Sequence, residues 1–186
     1  MKFDSLKIDS DWSLFLDRDG VINKKINDGY VLSVNDLDFI PGSLKAISIL
    51  SNIFGSLFIV TNQQCVGKGL LTLQELNNIH EYMLEKIREK GGRITDIFIA
   101  TSLEKDKNSM RKPSTGMACQ ALNKYPEIEL AKSFMAGDTL TDMLFGRRSG
   151  MKNILINKHS LSEKNMYEYR FNTLLDFALM MDSYHS

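Results

Sequence analysis

The chain has 186 residues, 43% hydrophobic and 25% charged, with 23 Lys plus Arg balanced by 23 Asp plus Glu. These proportions exclude a disordered or fibrous chain, and the length is enough for one domain whose core needs no disulfide or structural metal. With no net charge, dispersed cations and no aromatic-rich basic motif, nucleic acid is not an expected partner.

Cys65 and Cys119 are the only cysteines. They make neither a CxxC pair nor a secreted disulfide framework, which points to a reducing cytoplasm. The polar, acidic opening stretch MKFDSLKIDSDWS lacks the apolar run of a signal peptide. Apolar runs such as Leu57 to Val60 fall far short of the roughly 20 residues a helical membrane span requires.

Short apolar runs alternate with segments of helical period, the pattern of βαβ repetition. The first predicted strand is Ser13 to Leu16; a long loop, Gly20 to Ile40, leads to a helix opened by Pro41-Gly42 and running to about Asn52. A strand over Leu57 to Val60 precedes a long helix capped by Thr72 and ended at Gly91-Gly92. The third strand, Ile97 to Ala100, is followed by a charged loop from Thr101 to Pro113 and a helix capped by Ser114 that runs to about Lys124. Strands over Ser133 to Ala136 and Asn153 to Ile156 flank a short helix, Asp142 to Arg148, stopped by Gly150. From Ser162 the spacing of Phe171, Leu174, Leu175, Ala178 and Leu179 predicts one or two closing helices. Five nearly continuous apolar strands imply a buried parallel sheet, whose ligands bind beyond the carboxyl ends of the strands.

Polar chemistry sits at those ends. The first strand runs into Asp17-Arg18-Asp19-Gly20, and two carboxylates so close repel unless they share a cation or a proton. A hard, oxygen-rich site suits Mg²⁺, although by itself the string is more commonly a turn with a capping Asp. The second strand ends in Thr61-Asn62, the fourth in Gly137-Asp138 with Asp142 one helical turn later, and Arg111-Lys112-Pro113 lies between them. A Lys at that place could balance a carboxylate nucleophile and a phosphate. Each residue also has a plain role, Thr61 in a turn, Lys112 as a solvated cation, Asp138 as a cap; their order along one topology is what carries the chemistry.

In that order the residues strongly resemble the haloacid dehalogenase-like phosphohydrolases, over about residues 13–157. The strings FLDRDGVIN, DGYV, FIPG, TNQQ, GKG and RKP are similar to the branch that holds heptose bisphosphate and histidinol phosphate phosphatases. The resemblance implies a three-layer α/β/α Rossmann-like fold with a mainly parallel central sheet; the Gly20 to Ile40 segment is too short for a large cap domain, and the spacing predicts a helical extension over about residues 162–182. It implies Asp17 as nucleophile, Asp19 as general acid and base, and Thr61 and Lys112 as phosphate-gripping residues. Mg²⁺ would sit on Asp17, the backbone carbonyl of Asp19, and Asp138, with Asp142 supporting them. Asp28, Gly29, Tyr30, Val31, Asn62, Gln63, Gln64 and Arg111 would bind the substrate, a small phosphorylated metabolite.

One departure is that relatives commonly carry a zinc loop with Cys-x-His and Cys-x-Cys pairs, whereas Thr101 to Met110 contains neither Cys nor His. No structural zinc is expected there. The expected enzyme is a heptose bisphosphate phosphatase or, as the alternative, a phosphatase for histidinol phosphate or another metabolite, monomeric or weakly self-associating. A receiver-like signalling module is the non-enzymatic alternative, but it has no need of a general acid at Asp19. His80, His159 and His185 are scattered and expected at the surface, and Cys65 is incidental.

Overall fold

The computed structural model describes residues 6–106 and 110–185. Its centre is one parallel sheet of β1 (Ser13–Leu16), β2 (Ser56–Asn62), β3 (Asp96–Ala100), β4 (Ser133–Gly137), β5 (Lys152–Ile156) and β6 (Tyr169–Phe171), in the order β3-β2-β1-β4-β5-β6. The helices are α1 (Ser43–Ser51), α2 (Gln64–Gly67), α3 (Leu73–Glu89), α4 (Gly116–Lys124), α5 (Leu140–Arg148) and α6 (Leu174–His185).

Side chains alternate across the strands, so each strand feeds two cores. Leu14, Leu16, Leu57, Ile59, Phe134 and Ile154 pack on α1, α3 and α6. Phe15, Phe58, Val60, Phe98 and Met135 point the other way, onto α4 and α5. Each fully buried side chain of this size contributes about 1.5–3 kcal/mol. The result is the three-layer α/β/α arrangement, and among the described residues no cap domain stands over the sheet. No helix of the described residues is long and apolar enough to cross a membrane.

The predicted strands lie within the observed ones, but a sixth exists. Tyr169–Phe171 pairs parallel with β5, so the segment read as purely helical adds an edge strand before α6. It is only three residues long, and of these only Tyr169 is buried, which leaves no apolar run to detect. Thr72 caps α3 in a full capping box with Glu75, as expected. Ser114 does not cap α4, because Thr115 holds that position and makes no side-chain cap bond.

Candidate active site

Ser13 lies level with both Ser56 and Ser133, which puts Leu16, Ile59 and Ala136 side by side. Asp17, Thr61 and Asp138 follow one or two residues beyond that line, so the register itself gathers them. The strand order reverses between β1 and β4, where open parallel sheets form their crevice.

Lys112 enters from the loop after β3 and is only 2% exposed. Its Nζ lies 2.8 Å from Asp17 Oδ1 and 2.6 Å from Asp142 Oδ1. Asn62 holds the Lys112 backbone from both sides, its Oδ1 accepting from the amide at 2.9 Å and its Nδ2 donating to the carbonyl at 3.2 Å. Asp142 Oδ2 accepts from the Thr139 amide and hydroxyl, at 3.0 and 2.6 Å, in the capping box that starts α5. Both Asp142 oxygens are thereby engaged, which suits a supporting role rather than a direct hold on a cation.

Carboxylate oxygens of Asp17, Asp138 and Asp142 lie within 4.8 Å of one another. Asp138 Oδ1 is buried and has no hydrogen-bond partner. Gly20, at φ +94°, makes room for this group, since a Cβ there would come within 2.3 Å of Asp138 Oδ2. Burial first, then Asp142, Asp138 and Asp19, push Asp17 up to about 8 against the pull of Lys112. Burial and Asp142 likewise raise Asp138 to about 6, against Lys25 and Lys112. One buried Lys does not neutralise three acids, and an orphaned carboxylate oxygen among them fits a hard divalent cation.

Asp19 is held differently. Its Oδ1 and Oδ2 both accept from Arg18 Nη2 at 2.9 Å, and Arg18 Nε adds a bond to Oδ1 at 3.3 Å. Asn23 Nδ2 donates to Oδ1 and Gln63 Nε2 to Oδ2, each at 2.9 Å. Burial alone would raise the Asp19 carboxyl, but the Arg18 charge and these donors outweigh it and keep it below its ordinary value. Gln63 Nε2 also donates to Thr61 Oγ1 at 2.8 Å, which leaves the threonine hydroxyl's own proton available to a phosphate oxygen.

A cavity of about 470 Å³ opens over these groups. Asp17, Asp19, Thr61 and Lys112 line it together with all eight residues expected to meet substrate: Asp28, Gly29, Tyr30, Val31, Asn62, Gln63, Gln64 and Arg111. Asp138 is not in its wall and joins the group through the carboxylate cluster. Val31 is buried in the core, and the Asn62 and Gln63 amides bond to the machinery around them. The Tyr30 hydroxyl accepts from Lys68 Nζ at 2.8 Å and Gln64 Nε2 at 3.0 Å, tying the Gly20 to Ile40 loop to α2.

Sequence reasoning missed Lys25 and Thr141 in the wall, and above all Arg18 and His80. His80, expected at the surface, is only 4% exposed and lies on the buried face of α3 with its Nε2 3.1 Å from Arg18 Nη1. Nothing local to His80 announces a partner 62 positions away.

The HAD-hydrolase-like family profile matches residues 109–174. The D-glycero-beta-D-manno-heptose-1,7-bisphosphate 7-phosphatase of Helicobacter pylori strain J99 is 33% identical over 145 residues, 77% of this chain and 82% of that protein. The chain belongs to the haloacid dehalogenase-like hydrolases. A second member, the D-glycero-alpha-D-manno-heptose-1,7-bisphosphate 7-phosphatase of Mycobacterium tuberculosis, is 32% identical over 71% of this chain and 70% of its own. Among solved structures, the D,D-heptose 1,7-bisphosphate phosphatase of B. bronchiseptica, complexed with magnesium and phosphate, superposes with a TM-score of 0.83. It shares 27% identity over 93% of this chain and 99% of that one. Within this family of hydrolases the chain is a phosphoric monoester hydrolase.

Proposed function

We propose that the protein is a Mg²⁺-dependent phosphatase that removes the C7 phosphate of D-glycero-D-manno-heptose 1,7-bisphosphate. The observation that carries this reading is buried Lys112 bridging Asp17 and Asp142 beside an under-neutralised acid cluster, at the mouth of an open cavity. The names of the two curated relatives and the solved neighbour supply the substrate.

The cation would be held by Asp17, Asp138 and the Asp19 carbonyl, and when bound it supplies positive charge against the phosphate dianion. The protein's own groups do the rest. Thr61 and Lys112 hold the phosphoryl oxygens, and a carboxylate oxygen of Asp17 attacks phosphorus in line. The ester P–O bond breaks as Asp19 gives its proton to the leaving alkoxide. Asp19 then accepts a proton from the water that attacks phosphorus, and the Asp17–phosphorus bond breaks to release inorganic phosphate. The resting cradle favours ionised Asp19, the base form needed in the second half; an arriving phosphate, itself negative, raises its proton affinity for the first.

At the rim, Lys25, Lys68 and Arg111 give the cavity a cationic edge suited to a second phosphate, and Asp28 can accept from a sugar hydroxyl. The cavity volume fits a small sugar rather than a polymer. The two free cysteines support a reducing cytoplasm, the one six-stranded sheet supports a single catalytic domain, which we read as monomeric or weakly self-associating, and the balanced charge gives it no pull on nucleic acid.

The direct experiment compares kcat/KM for the heptose bisphosphate and for histidinol phosphate, with ³¹P NMR of the product. A preference of about 100-fold or more for the bisphosphate, leaving the 1-phosphate intact, is expected. Equal turnover of both esters would remove the substrate assignment.

Stability gives a second check. Asp17 and Asp138 bind protons more tightly in the folded chain than at their ordinary 3.8, so the metal-free protein loses stability as pH rises toward 8. His80, pushed down to about 3, works in the opposite direction only below its ordinary 6.5, which leaves pH 6.5 to 8 as the clean window. Mg²⁺ competes with those protons, so its stabilising effect should grow across that window. At one fixed concentration, about 100 times its Kd at pH 8, a gain of roughly 5–10 °C in Tm is expected at pH 8, and a smaller one at pH 6.5, where protons weaken its binding. A gain independent of pH would contradict the placement of the cation among these acids.

A further inference from the structure

Positions 76, 79, 80, 83 and 87 form the buried stripe of α3, and His80 is the one member that is not apolar. A histidine in such a stripe needs a polar partner. It finds Arg18, itself 1% exposed, through the 3.1 Å approach of Nη1 to Nε2. A guanidinium has only donors, so Nε2 must carry the lone pair and the ring must be neutral. Burial and the Arg18 charge act in the same sense on the ring, holding its pKa near 3.

Arg18 is thus gripped along two edges. Nη1 points to His80, while Nε and Nη2 form the fork on Asp19. An arginine stem has several freely rotating bonds, and a fork fixed by one partner alone can pivot about it. We propose that His80 is a positioning residue for proton transfer: by accepting from Arg18 it locks the guanidinium that aims the Asp19 carboxyl. This inference rests on the phosphatase reading with Asp19 as acid and base, and it gives α3, which contributes nothing to the cavity wall, a part in the chemistry.

The effect should fall on proton transfer and leave binding alone. His80→Leu keeps the packing volume but removes the acceptor, whereas His80→Gln places an amide oxygen close to where Nε2 stands. His80→Asn carries its oxygen nearer the Nδ1 position and cannot reach Arg18 in the same way. With Mg²⁺ and a primary alkyl sugar phosphate, the Leu variant is expected to lose about ten-fold or more in kcat with KM held within about two-fold.

With p-nitrophenyl phosphate, whose leaving group needs little protonation, the Leu variant should release nitrophenolate in a first-turnover burst. Slow steady state should follow, because the later step still requires the base. His80→Gln should return kcat to within about three-fold of the parent, and His80→Asn should behave like Leu. If the Leu variant fails to fold, the contrast between Gln and Asn carries the test.

Unchanged kcat in the Leu variant, a loss confined to KM, or equal impairment of Gln and Asn would overturn the proposal. Failure of the parent protein to turn over either ester would defeat the phosphatase reading itself, and the inference with it.

Discussion

Replacing Asp17 with Asn is expected to reduce phosphate release by roughly 10⁴-fold or more while leaving the metal-free chain at least as stable as the parent. The amide keeps an oxygen that can accept from Lys112 but cannot act as a carboxylate nucleophile. Asp17 lies in the wall of the cavity with its proton held up to about 8, so near pH 6 the native side chain is already neutral and close in shape to Asn. The unfolded parent, however, ionises residue 17 at that pH and the unfolded variant cannot, so without metal the variant should already melt higher. The gap should widen as pH rises toward about 8 and level off above it, where the folded parent has ionised as well. Activity and stability therefore move in opposite directions, as expected for a site strained for function. Phosphate release at the parental rate would reassign the nucleophile.

Lys112→Met has the opposite signature, with both quantities falling. It removes the buried cation that touches Asp17 and Asp142 and takes from Asp142, 1% exposed, its charge partner Lys112. Breaking a buried pair from one side costs about 3–5 kcal/mol, because the surviving charge stays desolvated. Urea unfolding at pH 8 without metal should register a loss of that order. The loss should shrink near pH 6, where Asp17 holds its proton. Adding Asp17→Asn to Lys112→Met should recover part of it, since the pair is coupled directly. A single-variant loss under about 1 kcal/mol at pH 8 would show that Lys112 does not balance these acids.

The features legible in the sequence share a physical cause. An apolar run such as Leu57 to Val60 must be buried on both faces, and a polar residue at its end must face the crevice beyond the sheet. The sequence alone therefore puts Asp17, Thr61 and Asp138 at strand ends, where the register brings them together. Tyr169–Phe171 escaped notice because an edge strand with one buried residue needs no such run. Side-chain amides were harder to assign than acids. Asn62 and Gln63 are as well suited to a sugar hydroxyl as to a neighbour. Only the packed structure turns Asn62 onto the Lys112 backbone and Gln63 onto Asp19 and Thr61. Arg18 and His80 were silent for a related reason: their bond closes between distant segments, and local periodicity marks His80 merely as an oddity in an apolar stripe.

The proposed reaction requires phosphorus to pass through the carboxylate at the end of β1. Acid quenching the Mg²⁺-activated protein during turnover, reducing the acyl phosphate with borohydride and sequencing the modified peptide would locate that bond. Conversion of residue 17 to homoserine is the expected outcome, absent when Asp17 is Asn. Modification at Asp19 or Asp138, or none in a protein caught while releasing phosphate, would contradict it.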